Sequence, residues 1–176
     1  MKDRIRDFLI IPLVAAITII ADQVTKHLVT TSLRLGESLE LTPRLGSLLR
    51  VTYVTNSGAA FGLFPNWSQV FIIVAIIVIA VLIWYYLQLS GGHWLVQLAL
   101  GLQLGGAIGN LIDRLRFAGH VIDFIDLNFW PLRAWPVFNI ADSSIVVGVS
   151  MLTLLMIWDE WQEEGARRQL ATAPDE

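Results

Sequence analysis

Residues 109–142, GNLIDRLRFAGHVIDFIDLNFWPLRAWPVFNIAD, hold four carboxylates, Asp113, Asp123, Asp126 and Asp142, between two long apolar runs. The runs cover residues 94–112 and 140–158. Each approaches the roughly 20 residues that a helix needs to cross a hydrocarbon core of about 30 Å. The segment between them is too charged to lie in lipid, so it belongs at a membrane surface. Two of its carboxylates are read as catalytic, held there by the apolar runs on either side.

Two further runs complete the pattern. Residues 8–28 follow Lys2, Arg4 and Arg6, and residues 70–89 are almost wholly apolar. A basic start and an apolar stretch also fit a cleavable signal peptide. Against this, the helical pattern continues through Asp22-Gln23-Val24-Thr25-Lys26, where Asp22 and Lys26 stand four apart and pair on one face. Trp67, Trp84, Tyr85 and Tyr86 flank the second run, as in an aromatic belt. Ser90-Gly91-Gly92-His93 is a tight turn that sends the third run straight back. In that run Gly101, Gly105 and Gly109 recur every fourth residue, so another helix can approach closely, either one of the chain's own spans or a substrate helix. The fourth run begins with Asn139 and Asp142 and gives way to a polar tail at residues 159–176, expected to be a solvated helix end.

Composition agrees with four spans. The 176-residue chain is 55% hydrophobic and 15% charged, against about 25% charged in soluble domains. Its mean hydropathy is +0.63. The net charge of −3 speaks against nucleic acid, and the absence of cysteine excludes disulfides, thiolate metal sites and a cysteine nucleophile. His27, His93 and His120 fit no metal-ligand spacing, so neither metal nor cofactor is expected.

The expected fold is an all-α membrane protein, a single domain over residues 1–176. Its spans are joined by outer loops at 29–69 and 113–139. Within the first loop, residues 50–55 are rich in β-branched and aromatic types and read as a strand of a small extramembrane sheet, closed by a turn at Asn56-Ser57-Gly58. Residues 59–64 read as a short interfacial segment. The second loop is expected to carry an interfacial loop or short helix, with Phe129, Trp130 and Trp135 resting among headgroups or over the site. Basic residues do not settle the orientation: five lie on the terminal side and seven on the other. The basic start abutting the first span favours cytoplasmic termini, which puts every polar motif on the outer face.

Peptide hydrolysis needs an activated water and a proton for the leaving amine. Two facing carboxylates supply both, because close together they do not both ionise easily. Asp142 opens a span with Asn139 on the same face, which marks it out. Residue chemistry alone does not choose between Asp123 and Asp126 as its partner, and any loop carboxylate also fits a cap or an ion pair. Asn110, Asp113 and Arg114 share one face of the third run, where Asp113 and Arg114 read as a structural or substrate-orienting pair.

The chain resembles lipoprotein signal peptidase (signal peptidase II), a family of bacterial membrane aspartyl peptidases. Five motifs carry the likeness, in order: Asp22–Lys26, Thr55–Phe61, Gly105–Arg114, Val121–Ile125 and Phe138–Ser143. The resemblance implies that Asp123 and Asp142 are the catalytic dyad. It implies that Asn56, Asn110, Asp113, Arg114 and Asn139 shape the site and bind substrate or the peptide antibiotic globomycin. Asp22 and Lys26 are read as structural. The implied substrate is a prolipoprotein carrying diacylglycerol on a cysteine and cut just before it, by a monomer in contact with lipid in the bacterial cell membrane.

The rival readings are a small ion- or proton-coupled transporter and a non-catalytic scaffold. A transporter needs polar groups at mid-depth, whereas these cluster at span ends, and no inverted repeat is visible. A scaffold leaves the repeated Asn and Asp at those ends unexplained. A presenilin-like protease carries Gly-x-Gly-Asp within a span, a motif this chain lacks.

Overall fold

A computed structural model describes residues 2–40, 48–58, 67–88 and 93–171. The expected interfacial segment at 59–64 and most of the turn at 90–93 lie outside the described residues. Among the described residues, four α-helices and three strands follow one another. They are α1 (Lys2–Ser32), β1 (Ser38–Glu40), β2 (Leu49–Asn56), α2 (Ser68–Gln88), α3 (Trp94–Arg116), β3 (Val121–Leu127) and α4 (Ile140–Ala171).

Among the described residues, four helical stretches are long and apolar enough to cross a membrane: Leu9–Ser32, Ser68–Gln88, Trp94–Arg116 and Ile140–Glu164. The expected spans are thus found, with ends that differ. The third helix runs one turn beyond residue 112, so Asp113 and Arg114 sit on its last turns. The fourth continues as helix through the polar tail to Ala171, because Glu, Gln, Arg and Ala sustain helix as well as apolar residues do.

The third helix is the hub: α1, α2 and α4 all pack on it. Its glycines explain how. A Cβ at Gly105 would stand 2.6 Å from Thr18 Cβ and 2.8 Å from the Ala15 carbonyl, and one at Gly101 would stand 2.7 Å from Val14 Cβ. Gly106, turned the other way, meets the Ala141 backbone and Ile145 of α4. The glycine stripe therefore serves the chain's own helix contacts. Helix α2 buries no residue and lies outermost, leaving its apolar surface for lipid.

The strands form one antiparallel sheet in the order β1-β2-β3. The expected strand at 50–55 is β2. The segment 113–139 holds the expected short helix, a 3-10 turn at Leu132–Ala134, and in addition a strand the sequence reading did not place there: Val121-Ile122-Asp123-Phe124-Ile125 pairs with β2, Val54 opposite Asp123 and Arg50 opposite Asp126. A turn with Gly119 at φ +90° joins α3 to β3; the Gly119 N–H bonds the Arg114 carbonyl at 2.7 Å. Any side chain there would meet Ser68 at the start of α2. The turn thus fixes β3 against the ends of two spans.

Candidate active site

The first residues of α4 form a reciprocal cap. Asp142 N donates to Asn139 Oδ1 at 2.8 Å, and Asn139 N donates to Asp142 Oδ2 at 3.3 Å. This is a capping box with Asn and Asp in place of Ser and Glu, and it satisfies two N–H groups at a helix start. The carboxylate also gains from the positive end of the helix dipole. Its other oxygen, Oδ1, accepts from Asn110 Nδ2 of α3 at 2.7 Å.

Asp123 lies on β3 and is buried, 2% exposed. Its Oδ1 accepts from Asn139 Nδ2 at 2.7 Å and its Oδ2 from Asn56 Nδ2 at 3.3 Å. Asn56 ends β2 and is held in turn by the Gly58 N–H donating to its Oδ1 at 2.9 Å. Asn139 Nδ2 also reaches Asn110 Oδ1 at 3.1 Å. Two amides, Asn110 and Asn139, therefore tie the two carboxylates into one network.

Burial raises the Asp123 carboxyl to a pKa of about 7; the neighbouring Asp142 charge adds to the rise, while hydrogen bonds from Asn56 and Asn139 and the Lys26 charge oppose it. Near neutrality Asp123 exchanges a proton, as a general acid requires.

Behind the pair lies a buried ionic cluster. Lys26 Nζ is 2.8 Å from Asp22 Oδ2 and 2.7 Å from Asp113 Oδ2. It also donates to Asn110 Oδ1 at 3.2 Å. Asp22 Oδ1 accepts the Ala141 N–H at 3.0 Å, and Asp113 Oδ2 accepts the Ile122 N–H at 3.0 Å. The cluster thus fixes the backbone directly before each member of the pair. Its charges are buried with every partner in place, the condition under which such burial is tolerated.

A cavity of about 550 Å³ opens over both carboxylates. Asn56, Asn110 and Arg114 line its polar end, and Trp135, Phe138, Ile145 and Val146 contribute to its apolar wall. The Arg114 guanidinium faces this space, donating to the Gly58 carbonyl at 3.4 Å and lying 5.6 Å from the Phe71 ring centre.

The structure sorts the sequence candidates. Asp123, Asp142, Asn56, Asn110 and Arg114 meet at the cavity, while Asp113 and Asn139 sit behind it and orient residues that line it. Asp113 pairs with Lys26, so the expected Asp113–Arg114 pair is replaced by a contact from α1. Asp126 is engaged elsewhere: its Oδ2 accepts from Arg50 Nη2 at 2.8 Å and from Thr52 Oγ1 at 2.7 Å. It stands three positions after Asp123 on β3, so strand alternation turns the two to opposite faces. Gln23 escaped the sequence reading; its Nε2 donates to Asp113 Oδ1 at 3.0 Å and to the Gly109 carbonyl at 3.2 Å. Its place between Asp22 and Lys26 was the available signal. Trp130 is 88% exposed, and Trp135 lines the cavity.

Comparison with known proteins bears on this arrangement. The family model described as signal peptidase (SPase) II matches residues 14–158. A lipoprotein signal peptidase of Halothermothrix orenii is 43% identical over 152 residues, 86% of this chain and 95% of that protein. One from Moorella thermoacetica is 47% identical over 140 residues, 80% and 87% of the respective chains. A solved bacterial membrane enzyme superposes with a TM-score of 0.76 at 36% identity, covering 84% of this chain and 87% of its own.

Proposed function

The chain belongs to the signal peptidase II family, and from that premise we propose that Asp123 and Asp142 are the acid–base pair of a metal-independent aspartyl endopeptidase. Its substrate is a diacylglyceryl-modified prolipoprotein, cut just before the lipidated cysteine. The observation that carries this reading is the pair of carboxylates joined through Asn110 and Asn139 at the floor of one largely apolar cavity. The transporter and scaffold alternatives are not favoured, since relatives spanning most of the chain are peptidases.

The chemistry follows from what each carboxylate touches. Asp142, held as an acceptor by Asn110, takes a proton from a water poised between the pair. That water attacks the scissile carbonyl carbon. Asp123, protonated near neutrality, gives its proton to the carbonyl oxygen as the tetrahedral intermediate forms. On collapse Asp142 gives its proton to the leaving amine nitrogen as the C–N bond breaks, and Asp123 takes one back from a hydroxyl of the diol as the new carboxyl forms, so the pair ends with the one proton it began with. Arg114 and Asn56, at the polar end of the cavity, bind the substrate backbone. The apolar wall takes the acyl-bearing side.

We assign the whole chain to a single membrane domain, working as a monomer among lipids in the bacterial cell membrane. Its termini are cytoplasmic and the Asp123–Asp142 end faces outward. Two features support this orientation: Lys2, Arg4 and Arg6 abut the first span, and the sheet and cavity share the opposite end. The test is cleavage of a diacylglyceryl prolipoprotein peptide by purified protein in detergent, with Asp123→Asn and Asp142→Asn alongside and EDTA in parallel. Cleavage before the modified cysteine, lost in both variants and insensitive to EDTA, is the expected result. EDTA-sensitive cleavage, or cleavage that survives either substitution, overturns the reading.

A further inference from the structure

Lys26 has no place in the chemistry above, yet it is 2% exposed and separated from Asp142 by one side chain. Its pairing with Asp22 and Asp113 alone would make it a fastener between α1 and α3. The bond to Asn110 does something more. Asn110 Oδ1 accepts twice, from Lys26 Nζ at 3.2 Å and from Asn139 Nδ2 at 3.1 Å. An amide whose oxygen faces two donors has one tolerable orientation, and it directs the NH₂ at Asp142 Oδ1, 2.7 Å away. With the amide turned over, two donors would face its NH₂, and its oxygen would face a carboxylate.

We propose that Lys26 is a positioning residue for the Asp123–Asp142 pair, acting through Asn110 to fix the donor on Asp142 and through its charge to make ionisation of the pair easier. The proposal rests on that pair being the acid and base. Every charged group packed about the pair enters the electrostatic balance. From α1 come Lys26 and Asp22, and from α3 come Asp113 and Arg114. Helix α2 contains no charged residue, and on the sheet Arg50 and Asp126 neutralise each other at 2.8 Å. Lys26 is the cation hydrogen-bonded to the network that holds both carboxylates. Asp22, which pairs with Lys26 through Oδ2 and accepts the Ala141 N–H beside Asp142 through Oδ1, carries the opposing charge.

Two substitutions at this cluster have opposite electrostatic signs. Lys26→Met removes the cation and leaves Asp22 and Asp113 in place, so the doubly ionised pair becomes harder to form. Asp22→Asn keeps an acceptor for the Ala141 N–H but removes a negative charge, so the doubly ionised pair becomes easier to form. The experiment is kcat and KM for a diacylglyceryl prolipoprotein peptide across pH, with thermal unfolding in detergent as a control on folding. The expected result is that the alkaline limb of kcat moves up in Lys26→Met and down in Asp22→Asn, each by about one pH unit for a buried charge at this range. The Lys26→Met kcat falls at least about tenfold with KM within about threefold, the mark of a lost orientation in the chemical step.

A Lys26→Met protein that does not fold leaves the Asp22→Asn shift as the deciding measurement. An alkaline limb that stays in place in Asp22→Asn, or moves the same way in both variants, overturns the proposal and returns Lys26 to a purely structural role. Failure of the pair itself is seen separately, as activity surviving Asp123→Asn or Asp142→Asn.

Discussion

Asn139 and Asp142 cap each other at the start of α4, Asp142 N to Asn139 Oδ1 at 2.8 Å and Asn139 N to Asp142 Oδ2 at 3.3 Å. The same Asn139 side chain spends its NH₂ on Asp123 at 2.7 Å. One residue therefore begins a transmembrane helix, orients one carboxylate through its backbone and holds the other through its amide. Folding and the proposed chemistry meet at this position, so both are expected to respond to its loss.

Asn139→Ala removes the cap acceptor and the donor to Asp123 together. A lost cap costs about 1 kcal/mol, and leaving the buried Asp123 oxygen without its donor costs roughly 1–3 kcal/mol more. Thermal unfolding in detergent should show a clearly lowered midpoint. Cleavage should fall by at least about a hundredfold, because the pair loses its shared support. Cleavage within a few-fold of wild type would mean that Asn139 serves the helix alone.

Asp126→Asn separates the two carboxylates of β3. Asp126 accepts from Arg50 and Thr52 on the sheet, and the Arg50 partner is one-third exposed, so losing the ion pair costs about 1 kcal/mol or less. The variant should cleave within about threefold of wild type, while Asp123→Asn abolishes turnover. The reverse ranking in the same assay would move the dyad to Asp126.

Gly105→Leu tests the close approach of α1 and α3. A Cβ at that position meets Thr18 Cβ at 2.6 Å and backbone atoms of Ala15, which have no room to give. Overpacking of this kind costs about 1–3 kcal/mol or more. The helices must separate, and Lys26 on α1 draws away from Asp113 and Asn110 on α3. Lower thermal stability together with lower kcat is the expected pair of results. A stable, fully active variant would show that the contact has slack.

Much of this was legible in the sequence because bilayer thickness imposes it. Four apolar runs of near-span length fix four helices, and a glycine every fourth residue fixes the face of α3 that meets α1. The capping pair Asn139 and Asp142 was visible as two polar groups at a lipid boundary. What escaped was set by non-local contact. Strand β3 exists because Val121–Leu127 finds β2 some seventy residues earlier, and a seven-residue run carrying two aspartates gives a weak local signal. The partner of Asp113 was misread for the same reason: its sequence neighbour Arg114 turns to the cavity, and the cation it meets is on α1. Choosing Asp123 over Asp126 rested on resemblance; that the two turn to opposite faces of β3, Asp123 to Asn139 and Asp126 to Arg50, needed the strand, which that weak local signal did not supply.

Asp123→Asn should change stability in a pH-dependent way. The folded-state pKa of about 7 stands above the ordinary 3.8. Between those values the native protein keeps a proton that the unfolded chain has released, so raising pH through this window destabilises the wild type. The full cost is present above pH 7 and is on the order of 2–4 kcal/mol. Asparagine, which never ionises, escapes it. The variant should gain on wild type in unfolding midpoint as pH rises from 4 to 7, and hold that advantage at pH 8. A difference that does not vary with pH would mean that burial does not hold the Asp123 proton.

The same proton governs the rate. If Asp123 is the acid that protonates the carbonyl oxygen, kcat/KM must decline once it ionises in the uncomplexed enzyme, falling about tenfold per pH unit above a limb near 7. The limb belongs to the coupled pair, since Asp142 shares the same amide network. Cleavage of a diacylglyceryl prolipoprotein peptide between pH 5.5 and 9, at fixed detergent and ionic strength, measures it. Substitution at Asp126, which sits on the other face of the strand, should leave the limb where it is. A rate that stays flat to pH 9 would remove Asp123 from the role of acid and require that the proton for the carbonyl oxygen come from elsewhere in the cavity.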